Sequence, residues 1–158
     1  MLNLLLREGL WFFSATGIGL LSAIGLVVIG RREHAPTGVT ITAALNLFFG
    51  VWIGIMGTGH LFAVTTKALL GVLRPDINLW FAIPFGLAMA VPGWWLVGQA
   101  RALLRQNETS NSQAMWLNAW LALVLIVPAG PPAALPAVNA ILLLVRRRGR
   151  RAWVRSAA

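Results

Sequence analysis

Four times in 158 residues the chain runs for more than twenty positions without a single charged side chain. A helix needs about 20 predominantly apolar residues to cross a hydrocarbon core about 30 Å thick. Four such stretches therefore predict an all-α integral membrane protein, a bundle of four transmembrane helices. The spans are expected near 9–30, 38–62 or longer, 77–101 and 113–146. Arg31, Arg32, Glu33 and Pro36 mark the first boundary, Arg74, Pro75 and Asp76 the second, and Arg101 with Arg105 the third. Strands are not expected, because no segment sustains the period-two alternation of a membrane barrel. The chain divides into a bundle over 1–146 and a basic tail over 147–158.

Composition agrees with that division. The chain is 58% apolar and 11% charged, against about 45–50% and about 25% in a soluble domain. Cysteine is absent, which excludes disulfides, thiolate metal sites and cysteine nucleophiles. The N-terminal apolar run exceeds the roughly 7–15 residues of a secretory signal and is read as a retained first span.

A net charge of +9 points to nucleic acid when it covers a soluble surface. Here six arginines fall in the last thirteen residues, directly after an apolar stretch. Arg146, Arg147, Arg148, Arg150 and Arg151, with Trp153 among them, are expected to hold the tail on anionic lipid headgroups. Each such charge contributes about 1 kcal/mol, and tryptophan favours that depth. Nucleic acid is not an expected partner. Only one of the thirteen basic residues, Lys67, is a lysine, an arginine bias that suggests a G+C-rich bacterial genome and a cytoplasmic (inner) membrane.

The fourth stretch carries Pro128, Pro131, Pro132 and Pro136, and an unbroken helix cannot pass through them. The break is a kink, an interfacial loop or a re-entrant turn. With a single crossing, nine basic residues (Arg7, Lys67, Arg74 and the tail) face four, and the positive-inside rule puts both termini in the cytoplasm. With a re-entrant hairpin the tail joins Arg31, Arg32, Arg101 and Arg105. Ten then face three, and the N-terminus lies outside. The single crossing is the expectation from sequence.

Trp11, Trp80, Trp94, Trp95, Trp116 and Trp120 lie near span ends, as an aromatic belt requires. Trp52 lies inside the second span and is expected to pack between helices. Small residues recur every fourth position at Ala15, Gly19 and Ala23 and again at Gly50, Gly54 and Thr58. Such stripes let membrane helices approach closely.

Candidate ligand-binding residues all come from the second span. Asn46, His60 and Lys67 share a face with Thr42 and Ile53, since residues seven apart drift only about 20° around a helix. Polar groups in the bilayer usually face the bundle interior or a cavity. The alternative is that Asn46 bonds to a neighbouring helix while His60 and Lys67 reach the interface. His60 is also the one position suited to ligating a pigment, with Gly57 and Gly59 leaving room; His34 lies in a loop at the opposite end. No carboxylate falls in a span and no catalytic or nucleotide-binding motif is present, so an enzyme is not expected. The sequence points to a small non-catalytic accessory subunit packed against other membrane subunits or copies of itself. A small transporter or lipid-acting protein, and a pigment-binding subunit ligated by His60, are the alternatives.

Overall fold

The computed structural model describes residues 2–72, 77–105, 108–129, 134 and 136–145. Five helices account for nearly all of them: α1 (Leu2–Arg32), α2 (Thr37–Leu69), α3 (Leu79–Leu104), α4 (Glu108–Ala129) and α5 (Pro136–Val145), with no strand among the described residues. Among the described residues, three helices are long and apolar enough to cross a membrane: α1 over Trp11–Arg32, α2 and α3. The fold is an all-helical membrane bundle. α4 begins five residues earlier than the apolar run suggested, because its first turns, Glu108–Gln113, are polar yet helical. Of the expected proline break, Pro128 lies in α4 and Pro136 opens α5, while 130–133 and 135 fall outside the described residues. Arg146, Arg147, Arg148, Arg150, Arg151 and Trp153, the residues expected to anchor the tail, also lie outside them.

The ends of α1 and α2 are closed by one device. His34 (φ 54°) and Gly71 (φ 66°) take left-handed backbone just past each helix. Ala35 N–H then reaches back to Gly30 O (2.9 Å), and Val72 N–H to Lys67 O (3.0 Å). This six-to-one closure satisfies carbonyls that a helix end leaves free. At the start of α3 the Asn78 side chain accepts from Trp80 N–H at 3.0 Å, the bond expected of an N-cap asparagine. α3 then continues through both Pro84 and Pro92.

α2 is the central helix, with α1 on one side and α3 on the other, and α4 packs on α3. The α2–α3 crossing is the tightest. A methyl group added at Gly57 would stand 2.5 Å from Ala90 N, and one at Gly93 would stand 2.5 Å from Gly54 N. Backbone therefore lies directly on backbone, through Gly50, Gly54 and Gly57 on α2 and Gly86, Ala90 and Gly93 on α3. The expected stripe at Gly50 and Gly54 is part of this crossing. Thr58 stands beside it, donating to Gly54 O at 2.7 Å and accepting from Trp94 Nε1 at 3.0 Å. On the other side, Gly19 of α1 fits against Phe48, and Ala15 is fully buried. Trp52 meets Phe12 edge to face at 5.7 Å, joining α2 to α1. Trp11, Trp80, Trp94, Trp95, Trp116 and Trp120 are all exposed. Apolar side chains also cover the outside, Phe13 of α1 being 74% exposed and Trp80 of α3 90%. In a bilayer such surface faces lipid tails or a neighbouring protein.

Candidate functional site: a buried amide cluster and His60

Three asparagines from three helices meet inside the bundle: Asn46 of α2, Asn118 of α4 and Asn139 of α5 are 0%, 0% and 1% exposed. Asn118 Nδ2 donates to Asn46 Oδ1 and to Ala114 O, both at 2.7 Å. Asn139 Nδ2 donates to Asn118 Oδ1 at 3.2 Å. Asn46 Nδ2 donates to Thr42 O at 2.9 Å, and Thr42 Oγ1 donates to Gly38 O at 2.7 Å. Asn46 stands nine residues into α2 and Asn118 ten into α4, about 14–15 Å from those helix starts. Both amides therefore stand well away from the ends of their own helices.

The cluster also fixes how α5 lies. On one continuous helix Asn118 and Asn139 would stand about 31 Å apart. Their hydrogen bond puts Asn139 beside Asn118 rather than beyond it. Leu121, Leu125 and Leu143 then join Ile53, Leu96 and Leu103 in the core around the amides.

His60 lies elsewhere. Its Nε2 is 3.1 Å from Ala82 O of α3, and a carbonyl only accepts, so this nitrogen carries the proton. The ring meets Phe85 edge to face at 5.7 Å, and Phe85 stacks on Phe81 at 5.9 Å. Lys67 is exposed in the last turn of α2. The stripe seen in the sequence thus passes from core to surface along α2. Its three candidates do not line one space, since Asn46 meets α4 while His60 meets α3.

A second polar link, Gln99 Nε2 to Gln113 Oε1 at 2.9 Å, ties α3 to α4 nearer the start of α4. Among the described residues, no group of three His, Cys, Asp or Glu side chains is placed to hold a metal ion.

Sequence reasoning found Asn46 but not Asn118 or Asn139. Each interrupts an otherwise uncharged, largely apolar run, Ala114–Val127 and Ala133–Val145. An amide there needs an internal partner, because hydrocarbon offers none. That requirement is the signal by which both could have been found.

Fold and site together define a helical bundle of the integral membrane class, held at its centre by amides. The chain matches no protein-family model, and no curated protein or solved structure matches it.

Proposed function

We propose that this chain is a non-catalytic structural subunit of a membrane protein assembly, in which α1 and α3 present apolar faces to partner helices. The observation that carries the reading is where its polar groups point. Asn46 and Asn118 bond to each other, and His60 bonds to Ala82 O, so these side chains hold the bundle together. The bond at His60 Nε2 also weighs against a pigment ligated through that nitrogen. Lys67, at the exposed end of α2, belongs with the headgroups. Purification in mild detergent followed by native mass measurement tests the proposal. The expected product is one assembly of fixed stoichiometry, containing a second membrane protein beside the 17.1 kDa chain. A lone chain that moves a solute into liposomes would overturn it in favour of the transporter reading.

The same reading gives an orientation. α4 has 22 residues, about 33 Å of helix, but its first six are polar and it is not among the three helices apolar enough to cross a membrane. Asn139 lying level with Asn118 supports a return toward the side where α4 began. The re-entrant arrangement is therefore preferred to a single crossing over 113–146. It puts the tail with Arg31, Arg32, Arg101 and Arg105, ten basic residues against three. The tail side is then cytoplasmic and the N-terminus lies outside. The tail arginines and Trp153 rest on the anionic headgroups of that leaflet, and the arginine-rich composition fits a bacterial inner membrane.

A further inference from the structure

The amide cluster has a direction, and the direction ends on an unused atom. Thr42 O and Ala114 O are backbone carbonyls that can only accept, so they fix which end of Asn46 and of Asn118 is the NH2 group. Neither amide can be turned around without setting oxygen against oxygen. With Asn118 Nδ2 committed, Asn118 Oδ1 must be the acceptor for Asn139 Nδ2. Every bond then runs one way, from Asn139 to Asn118 to Asn46 to Thr42 O. What remains at the far end is Asn139 Oδ1, buried and without a partner. A second buried amide oxygen without a partner, Asn111 Oδ1, lies on α4 seven residues before Asn118. That spacing puts Asn111 and Asn118 on nearly the same face of the helix.

An inventory of capacity points the same way. Three amides offer six N–H donors and six oxygen lone pairs. Four donors and two lone pairs are engaged in the bonds described. Acceptors are in surplus, so the group that completes the cluster must donate. Leaving a buried acceptor unfilled is unfavourable, which favours capture of a small donor. A cation is the poorer fit. The four acidic residues, Glu8, Glu33, Asp76 and Glu108, all lie outside the apolar cores. An ion in a low-dielectric interior is strongly unfavourable without a compensating charge.

We infer that the bundle holds an internal water molecule hydrogen-bonded to Asn139 Oδ1. Asn111 Oδ1 marks a second hydration position, within the polar start of α4 and seven residues before Asn118. The inference is independent of the accessory-subunit reading, since it concerns only the inside of this chain.

Solid-state NMR of the full-length protein in lipid bilayers, with labelled asparagine, reads this directly. Magnetisation starting on water protons is transferred to side-chain amides, and Asn139→Leu and Asn118→Leu identify which signals belong to the cluster. The expected result is transfer from long-lived water to the Asn139 side chain in the native protein, unchanged between potassium and sodium buffers. Loss of that signal in Asn139→Leu, with the Asn78 signal retained, completes the assignment. No transfer to the Asn139 amide of the native protein overturns the inference. A cluster signal that shifts with sodium concentration also overturns it, in favour of a bound cation. The decisive measurement is made on the unmodified chain, so it holds even where a variant fails to fold.

Discussion

Asn118 makes more of the described side-chain bonds than any other residue of the amide cluster. It donates twice and accepts once, joining α2, α4 and α5 through a single side chain. Replacing it by leucine keeps the volume but strands Asn46 Oδ1 and Asn139 Nδ2 in the apolar core. Each stranded group costs about 1–3 kcal/mol, whereas interhelical bonds between polar side chains in membranes average only ~0.6 kcal/mol. Two stranded groups set a ceiling of about 2–6 kcal/mol, and the small average worth of membrane hydrogen bonds lowers it, so Asn118→Leu is expected to destabilise the bundle by about 1–3 kcal/mol, measured by reversible unfolding in mixed micelles. The double variant Asn46→Leu with Asn118→Leu should lose less than the sum of the single losses, because the second change removes one of the stranded partners. Strict additivity would mean that the two amides do not interact. At this scale the sequence disclosed only part of the design. Asn46 stood out because it shares a face with His60 and Lys67. Asn118 and Asn139 share no such pattern, and their meeting depends on how α4 and α5 are folded back, which no single-helix periodicity can encode.

Between elements, the α2–α3 crossing shows what a glycine is for. Gly93 and Gly98 lie in the same helix five residues apart, yet their surroundings are opposite. A methyl at Gly93 would meet the backbone of Gly54, while one at Gly98 has nothing within 4 Å. Gly93→Ala should therefore cost about 1–3 kcal/mol by overpacking. Gly98→Ala should stabilise by roughly 0.5–1 kcal/mol, since alanine is the better helix former. Thermal unfolding of both variants in one detergent checks the contrast, and equal effects would show that the helices are not in backbone contact. The element level was the most legible one. Runs of uncharged residues located the helices because the bilayer leaves the backbone few alternatives. The four-residue spacing of Gly50 and Gly54 announced a close approach. Helix ends were less legible: α1 reaches back to Leu2, past the charged pair Arg7 and Glu8, and α4 back to Glu108 through polar residues that the apolar core does not require. His34 likewise closes α1 in left-handed backbone, a role the sequence gives to glycine in the matching position at Gly71.

For the molecule as a whole, the position of α5 decides the arrangement of the termini. A tag on the N-terminus is expected to be reachable from outside intact cells, and a tag on the C-terminus only after the membrane is opened. Both tags protected in intact cells would restore the single crossing and overturn the hairpin. The positive-inside count alone separates these arrangements poorly, nine to four against ten to three, because the tail dominates both sums. The hydrogen bond between Asn118 and Asn139 is what tips the choice, and it lies beyond the reach of a charge count.

The amide cluster also carries a timetable. Asn46 and Asn118 are 72 residues apart in the chain, so a ribosome working at about 5–20 residues per second delivers the second roughly 4–14 s after the first. During that interval the growing protein already has α2, and α3 follows, but the amide of Asn46 lacks its interhelical partner. A chain that stops short of α4 keeps that polar group unmatched in a greasy surrounding. Membrane chaperones and proteases that sense misplaced polarity within the bilayer would then have a chemical mark separating unfinished copies from complete ones, and the mark disappears when the last two helices arrive.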